Sequence, residues 1–488
     1  MSATDQSTGE QTRCDVCIVG AGITGMNALF VASRYLDRSH KVVLVDRRPR
    51  VGGMWVDTYP YVRLHQPYRL FTAGNIKWTI GREPGYLATK SEVLDHFQHC
   101  LEVLGERVQV ETRFGWDYEG HEERDDGVVI TCRDGEHTLT ISADKLITAY
   151  GAGVTPNPPL TLSSTRITSV SPDSWDMRGV DMRESEAPVW IIGGGKTAMD
   201  TAHVLITEYP GREVNLVVGS GTYFSSRDKF LPTGGKRWWG GARPNSVFLE
   251  MTARFDGTNQ REVRDWFRRT YSTSLVPNPR NYFFGLLSEA ENDVVRSGAK
   301  RIVLGHCEDV ADNDGQPVLR LCNGGAIPVA PGSWVINCTG YLNGDNAVYE
   351  PVLSSGGRVM SVNLCAMVYI PSSSAAYFLT HLFLLGLLSG TPLYDLDYVG
   401  LRAKSKDVLP LALASLVVYN LGVIAEAVPA KVFQEWGLDL DRWYPMHRRM
   451  YGQVKGRIST RKGREHLRRT LDTVRERFDV RCGPIQVG

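Results

Sequence analysis

The sequence lacks a cysteine framework and the side-chain sets that mark hydrolytic or metal-dependent catalysis. Its nine cysteines are odd in number and scattered, and only Cys14 and Cys17 form a C-x-x-C pair. This usage argues against a secreted, disulfide-stapled protein and against a structural zinc site. No Ser/His/Asp set and no metal-ligand spacing occurs in the chain, so no metal centre is predicted.

The sequence also lacks a strong charge, an apolar leader and a long apolar run. The formal net charge is only +1, and no nucleic-acid-binding module accompanies it, so we expect no nucleic-acid partner. Residues 1–13 contain no apolar core long enough for a signal peptide, which predicts a cytoplasmic protein. Residues 408–425 are apolar but shorter than the roughly 20 residues that span a bilayer, so they predict a buried or interface helix, with a membrane-embedded helix as the alternative.

Positive charge is concentrated near the C-terminus. Residues 447–481 hold twelve Lys and Arg against four acids, which leaves the rest of the chain net negative. A solvated helical face is the usual meaning of such a run. Contact with anionic lipid, with an acidic partner subunit or with an anionic substrate remains an alternative.

Two glycine-rich turns are the most informative features that are present. Each follows a short apolar run and precedes a helix-like stretch; they are Gly20-Ala-Gly22-Ile-Thr-Gly25 and Gly193-Gly-Gly195-Lys-Thr197-Ala198. This order predicts a strand, a tight turn and a helix whose N-terminus holds a pyrophosphate. Two such turns in one chain predict two bound dinucleotides.

Residues downstream of the turns indicate which dinucleotides bind. Asp46 lies 21 residues after Gly25, where a carboxylate bonds the adenosine ribose, the alternative being a surface acid after a strand. The same count after Ala198 reaches Gly219, which is followed by Ser220, Arg227 and Lys229. Without an acid to repel a 2′-phosphate, the second site favours NADPH over NADH, unless these cations are ordinary loop charges. Trp190 stands where a P-loop needs glycine, which excludes a nucleotide triphosphatase.

The chain resembles the two-dinucleotide-binding flavoproteins and, among them, the class B flavin-dependent monooxygenases of the N- or S-oxygenating and Baeyer-Villiger kind. The resemblance covers most of residues 14–345 and is carried by GAGITG, the G-G-M-W of residues 52–55, the Y-G-A of residues 150–152, GGGKTA and the V-I-N-C-T-G-Y of residues 335–341. It implies an FAD site formed by Gly20, Gly22, Gly25, Asp46, Gly53, Trp55, Gly151 and Gly340, and an NADPH site formed by Gly193, Gly195, Thr197, Ala198, Ser220 and Arg227. It also implies a reduced flavin that carries oxygen as a C4a-peroxide to a small organic substrate, with O2 as co-substrate.

One motif of these monooxygenases is degenerate. They carry F-x-G-x-x-x-H and an aromatic residue in the linker between the nucleotide domains, and aligning the aromatic on Trp175 puts Ser171, Ile167 and Thr165 at the other three positions. An NADPH-dependent reductase or dehydrogenase with a non-oxygen acceptor, or a non-catalytic protein with structural FAD, is therefore the alternative. A disulfide reductase is not favoured, because residues three apart in the first strand, Cys14 and Cys17, lie about 10 Å apart on opposite faces.

The predicted fold class is α/β, with two Rossmann-like dinucleotide-binding domains and a helical C-terminal extension. We expect an FAD domain at 13–154 and 333–393, an NADPH domain at 155–332, and a helical basic region at 394–488. An insertion at 223–284 covers a substrate pocket or rigidifies the domain.

A polar cluster in residues 59–71 supplies the candidate catalytic residues. Arg63, His65 and Gln66 follow the G-G-M-W turn and are the polar side chains nearest to where the resemblance places the flavin ring. His65 is the first to test, and a purely structural histidine is the alternative. The substrate and the oligomeric state are not determined by the sequence.

Overall fold

The computed structural model describes residues 10–149, 151, 156–174, 185–340 and 348–486, and it leaves the side chains of residues 283, 451 and 453–462 undescribed. Its strands, in chain order, are β1 (Glu10–Val19), β2 (Lys41–Asp46), β3 (Gln109–Phe114), β4 (Asp117–Arg124), β5 (Gly127–Asp134), β6 (His137–Thr148), β7 (Thr168–Val170), β8 (Val189–Ile192), β9 (Val214–Val217), β10 (Thr222–Ser226), β11 (Ser272–Ser274), β12 (Asn281–Leu287), β13 (Arg301–Val303), β14 (Cys307–Asn313), β15 (Gln316–Leu321), β16 (Ala326–Pro328), β17 (Trp334–Asn337), β18 (Val359–Ser361), β19 (Tyr394–Leu396) and β20 (Cys482–Pro484). Its helices are α1 (Ile23–Tyr35), α2 (Lys90–Gly105), α3 (Lys196–Glu208), α4 (Arg227–Phe230), α5 (Lys236–Trp239), α6 (Pro244–Arg254), α7 (Gln260–Tyr271), α8 (Glu289–Gly298), α9 (Ser372–Leu384), α10 (Tyr398–Lys404), α11 (Leu409–Ala427), α12 (Ala430–Glu435) and α13 (Met446–Phe478).

The first glycine turn belongs to a seven-stranded sheet. The strand order is β3-β2-β1-β6-β5-β4, and β18 pairs with the C-terminal half of β6. Strands β1, β2, β3, β6 and β18 run parallel to one another, and β2 is a continuous apolar run because both of its faces are covered. Helices α1 and α9 lie against this sheet within the largest apolar core.

The second glycine turn belongs to a separate five-stranded sheet with the order β13-β9-β8-β17-β7, in which every pairing is parallel. Strand β17 lies between β7 and β8, so this sheet extends to Asn337. The predicted boundary at residue 333 therefore falls too early by one strand. The reason is that a strand buried on both faces carries no sequence signal that says which sheet it joins.

The predicted insertion forms a small unit of its own. Strands β11, β10 and β12 make a three-stranded sheet, and helices α4 to α7 lie between β10 and β11 in the chain. Tyr223 and Tyr282 stack across β10 and β12 with ring centroids 5.0 Å apart. Helix α7 buries Val263 and Phe267 in the main core, and its Arg264 pairs with Asp407; these contacts tie the insertion to the rest of the protein.

The C-terminal region is helical, as predicted. Helix α11 is the one helix among the described residues that is long and apolar enough to cross a membrane, and most of it is buried inside the protein. The long helix α13 covers it with Leu467, Leu471 and Val474, whose spacing places them on one helical face. The predicted buried helix and the predicted α/β class, with a parallel sheet before each glycine turn, are confirmed.

Candidate functional site

The first glycine turn brings backbone groups together at the start of α1. Gly22 is the N-cap of α1 and has no capping side chain, and no acidic residue lies in the first turn. A Cβ at Gly25 would overlap the carbonyl oxygen of Gly20, so the turn closes only with glycine there. The first N–H groups of α1 are therefore left to an anionic group.

A second backbone segment lies directly on this turn. The Gly52 N–H donates to the Ala21 carbonyl at 3.0 Å. Gly53 has φ +56°, and a Cβ there would lie 2.7 Å from Gly22 Cα. A side chain at Gly52 or Gly53 would therefore collide with its neighbours. Trp55 ends the short helical turn that follows and packs on Phe71 with centroids 5.9 Å apart.

Asp46 lies at the end of β2 and faces the same turn. Its Oδ2 accepts the Ala21 N–H at 2.6 Å and its Oδ1 accepts the Arg48 N–H at 2.9 Å. The carboxylate is only 6% exposed, so these bonds fix its position. Each oxygen has a further lone pair, and a ribose hydroxyl can still donate to it. The predicted ribose contact stays a prediction.

A small cavity, partly open to solvent, lies beside the turn. Gly151, Asn363, Tyr369 and Ser372 are among its lining residues. Ser372 begins α9, and its Oγ is 3.1 Å from Oγ1 of Thr24 in the first turn of α1. The N-terminal turns of two helices therefore meet beside the cavity, where they favour a carbonyl oxygen or negative charge.

Asn363 fixes the wall of this cavity. Its Oδ1 accepts the N–H groups of Cys365 and Ala366, and its Nδ2 donates to the Glu350 carbonyl. Neither Asn363 nor Ser372 is among the residues predicted from the sequence. The available signal was the helix start at Pro371, where three serines precede a buried apolar run. Of the predicted FAD residues, Gly151 lines the cavity, whereas Gly340 follows β17 of the second sheet and is exposed.

The second glycine turn is more open than the first. Gly193 and Gly194 pack tightly on neighbouring backbone, but a Cβ at Gly195, the N-cap of α3, would have no heavy atom within 4 Å. The first turn of α3 contains no acid, and its Thr197 and Ala198 are buried. The backbone of this turn can therefore be approached by a phosphate.

The end of β9 carries the predicted coenzyme-selecting residues. Ser220 Oγ accepts a hydrogen bond from Asn281 Nδ2 at 3.0 Å, and the Ser220 carbonyl accepts the Arg280 N–H. Gly219 forms a bridge with Gly305, and a Cβ on it would lie 3.0 Å from the His306 ring. Arg280 and His306 are exposed cationic or ionisable side chains near Ser220 that sequence analysis missed, because they follow it by 60 residues and more.

Arg227 does not stay with Ser220 but contacts the loop that contains His65. Its guanidinium donates to Glu291 Oε2 at 2.6 Å and to the His65 carbonyl at 3.2 Å. Lys196, at the start of α3, pairs with Asp200 and adds a second positive charge near His65. A role for Arg227 at the 2′-phosphate therefore requires it to leave Glu291; the role stays a prediction.

The charges of this cluster are set by burial and by the two cations. Burial, with Lys196 and Arg227, lowers the pKa of His65 to about 3, so its imidazole is neutral at pH 7. Burial alone would raise the pKa of Glu291, but Lys196, Arg227 and the hydrogen bonds of Ser288 hold it at about 2. The structure does not bring Arg63 into this cluster, because Arg63 is exposed and donates to the Leu87 carbonyl; Gln66 is partly buried.

Two tyrosines join the same loop to α3. Tyr59 donates to Asp200 Oδ2 at 2.9 Å, and the Tyr61 hydroxyl is 2.9 Å from Thr201 Oγ1. Their rings lie 4.8 Å apart. This contact, which sequence analysis missed, fixes the His65 loop against the second nucleotide turn.

The linker residues and the cysteines distinguish a monooxygenase from a disulfide reductase. Ser171 is buried, and it exchanges hydrogen bonds with Asp173 in a local turn, whereas Trp175 lies outside the described residues. All nine cysteines are free, and burial raises the pKa of Cys14 to about 12 and that of Cys17 as well. Among the described residues no group of His, Cys, Asp and Glu could hold a metal ion.

Residues 14–230 match the sequence profile of the family described as pyridine nucleotide-disulphide oxidoreductase. An uncharacterized protein of Mycobacterium tuberculosis (strain ATCC 25618 / H37Rv) is 22% identical over 358 residues, which are 68% of this chain and 61% of the relative. The chain thus spans less than two thirds of that relative.

Among solved structures, a cyclohexanone monooxygenase mutant from Rhodococcus sp. Phi1 bound to NADP+ is similar with a TM-score of 0.50 and 14% identity, over 78% of this chain and 86% of that one. A bacillithiol disulfide reductase from Staphylococcus aureus has a TM-score of 0.46 and 10% identity, over 78% and 99%. At such identities a likeness shows the fold alone. The profile match over residues 14–230 and the likeness to the cyclohexanone monooxygenase structure confirm, for the fold, the resemblance to two-dinucleotide-binding flavoproteins.

Proposed function

We propose that the protein is an FAD- and NADPH-dependent monooxygenase, a proposal supported by the match of residues 14–230 to the pyridine nucleotide-disulphide oxidoreductase profile and by the two glycine turns. It inserts one oxygen atom from O2 into a small organic substrate. Substrate, NADPH, a proton and O2 give the oxygenated substrate, NADP+ and water. FAD, when bound, accepts hydride from NADPH and passes two electrons to O2.

The first turn fits the FAD pyrophosphate. The turn at residues 20–25 and the turn at residues 52–53 approach each other through glycine backbone only, which leaves the start of α1 accessible to a diphosphate. Asp46 would bond the ribose. The cavity beside Ser372 and Asn363 would hold the flavin ring, with the N-terminal turn of α9 next to it.

The second turn fits NADPH. The open space at Gly195 and the acid-free first turn of α3 suit its pyrophosphate. At the end of β9, Ser220 and Asn281 offer hydrogen-bond donors, and Arg280 and His306 offer positive charge to a 2′-phosphate. A similar solved structure is described as bound to NADP+, which supports this choice.

His65 would act in this site as a neutral hydrogen-bonding group. Its lowered pKa keeps the imidazole uncharged, while Lys196 and Arg227 beside it supply positive charge. A neutral imidazole positions a ligand amide or carbonyl but does not deliver a proton as an imidazolium. Gln66 and Arg63 remain candidate contacts on the rim of the same loop.

The observation that carries the choice of acceptor is the lack of a thiol pair among the described residues lining the cavity, which argues against a disulfide as the electron acceptor. None of the described residues that line the cavity is a cysteine, and Cys14 and Cys17 are buried within β1. A disulfide acceptor needs two reactive thiols within about 7 Å beside the flavin ring. The alternative is an NADPH-dependent reductase with another acceptor, which Ser171 in the degenerate linker favours.

Flavin reduction and reoxidation test the proposal. NADPH should bleach the flavin in an anaerobic stopped-flow experiment, and O2 should restore it faster than ferricyanide or a quinone at matched concentration. Fast reoxidation by a quinone with slow reoxidation by O2 would establish the reductase. A flavin that NADPH and NADH both leave oxidised would establish a structural FAD.

A further inference from the structure

Four apolar side chains are exposed together on one surface, which we name the tryptophan patch: Trp238, Trp239, Met446 and Met450. They are 51%, 86%, 63% and 59% exposed, and they make up four of the eleven large hydrophobic side chains exposed among the described residues. The rings of Trp238 and Trp239 lie 6.3 Å and 6.4 Å from that of His447. Clustered exposure of this kind marks an interaction surface.

The backbone beneath the patch is firmly held. Arg237 donates to the Trp443 carbonyl, and its guanidinium lies 4.7 Å from the centroid of the Trp443 ring. Arg448 donates to the carbonyls of Arg237 and Gly240, and Trp443 Nε1 donates to the Pro232 carbonyl at 2.7 Å. The tryptophans therefore project from a fixed base, and their exposure does not come from a loose loop.

The charge next to the patch is uniformly positive along the chain. Residues 446–464, the first part of α13, contain seven Lys and Arg and no acid. Lys236 is exposed in the same short helix as the tryptophans. An aromatic and methionine cluster beside a basic helix complements a surface that is apolar below a layer of negative charge.

We propose that the tryptophan patch and the first part of α13 dock on a bilayer that contains anionic lipid. The indole rings lie at the level of the headgroups, and the net positive charge of Lys236 and of residues 446–464 attracts the anionic lipid. A second copy of this chain fits less well, because a two-fold contact would bring the two basic helices together.

The patch lies close to the candidate site, which gives docking a consequence that rests on the proposed function. Helix α4 connects the two regions, because Arg227 contacts the His65 carbonyl and the Phe230 carbonyl accepts the hydroxyl of Tyr444 at 2.7 Å. Docking would hold this side of the protein against the membrane. Apolar substrates dissolved in lipid are the class that such an arrangement serves.

Vesicle flotation of the full chain tests the docking without using activity. The protein should float with phosphatidylcholine vesicles that contain phosphatidylglycerol, should not float with phosphatidylcholine alone, and should be released by high salt. The variant Trp238→Ala/Trp239→Ala should bind at least about tenfold more weakly. The matched control is Leu385→Ala/Leu387→Ala, which removes two side chains that are 41% and 39% exposed outside the patch and should bind like the wild type.

Quenching of tryptophan fluorescence by brominated lipid gives a second readout. Wild-type fluorescence should fall on vesicles with brominated acyl chains, and the single variant Trp239→Gln should lose most of this quenching while retaining its flavin and circular dichroism spectrum. Equal vesicle binding by wild type and both tryptophan variants would overturn the proposal. So would a concentration-dependent dimer that the tryptophan variants abolish, because the patch would then contact a second copy.

Discussion

The two nucleotide turns share one strand-turn-helix pattern but differ in what surrounds them. The turn at Gly22 is covered by Gly53, and its Ala21 N–H is held by Asp46. The turn at Gly195 has open space at the N-cap and no carboxylate at the end of the following strand. The same motif is therefore enclosed in one region and open in the other.

This difference matches two kinds of ligand. An enclosed turn suits a cofactor that stays bound through many turnovers, whereas an open turn suits a coenzyme that must leave after each hydride transfer. The His65 loop connects the two regions, since Tyr59 and Tyr61 contact α3 and Arg227 contacts the His65 carbonyl.

The largest effect is expected at the enclosed turn. In Gly22→Val, the Cβ would lie 3.3 Å from Gly53 Cα, and the methyl groups would occupy the space of the pyrophosphate. FAD affinity should fall by well over tenfold, about 1.4 kcal/mol or more, so the purified variant should be colourless. Absorbance at the flavin band per chain measures this. Gly120→Val, on a strand where a Cβ meets nothing within 4 Å, should stay yellow; a yellow Gly22→Val would refute the first site.

The next effect separates the two turns. Gly195→Ala adds a Cβ with no neighbour within 4 Å, at an ordinary extended φ of −83°, so the fold should not change. NADPH binding should weaken by about tenfold, because the methyl group meets the phosphate, while FAD is retained. Titration of the protein with NADP+ reports the affinity. The control Gly105→Ala also meets nothing within 4 Å and should bind normally.

Coenzyme choice should change at Gly219. The wild type should have a higher kcat/KM with NADPH than with NADH, and Gly219→Asp should shift that ratio by about tenfold, or 1.4 kcal/mol, through repulsion of the 2′-phosphate. Gly219 has φ +59°, which strains other residues, so Gly219→Asn is the matched control of equal shape without the charge. Equal NADPH-to-NADH ratios of kcat/KM in the Asp and Asn variants would refute the placement of the 2′-phosphate beside Gly219.

The smallest effect concerns pH. The pKa of His65 is about 3 in the folded protein and near 6.5 in the unfolded chain, so the unfolded state binds the extra proton as the pH falls below 6.5. Stability from this residue is complete above that pH and is lost on acidification, by about 1 kcal/mol between about pH 6 and about pH 5. His65→Gln should reduce the slope of unfolding free energy against pH by that amount. Arg63→Gln, an exposed neighbour, should keep the wild-type slope; an unchanged slope in His65→Gln would contradict the lowered pKa of His65.

Local patterns predicted most of the fold. The glycine spacing located both strand-turn-helix units, and the count to Asp46 found a carboxylate that does contact the first turn. The run at residues 408–425 became a buried helix as expected. Each of these features depends on residues that lie within about 25 positions of one another in the sequence, so a sequence pattern is enough to predict it.

Contacts between distant segments could not be predicted from such patterns. Ser372 meets Thr24 across 348 residues, and Arg227 meets the His65 carbonyl across 162. Arg227 was predicted to bind the 2′-phosphate because it follows Gly219 in the sequence. Its guanidinium instead pairs with the carboxylate of Glu291. The exposure of Trp238 and Trp239 was equally hidden, since tryptophan in a sequence usually indicates a core.

Oxygen consumption tests the central claim most directly. With NADPH and a panel of amines, thioethers and ketones, the holoenzyme should take up one O2 for each NADPH, and with its substrate mass spectrometry should find one atom of labelled O2 in the product. Added catalase should then return no oxygen, because the second atom leaves as water. NADPH oxidation that needs a quinone or ferricyanide and consumes no O2 would contradict the account.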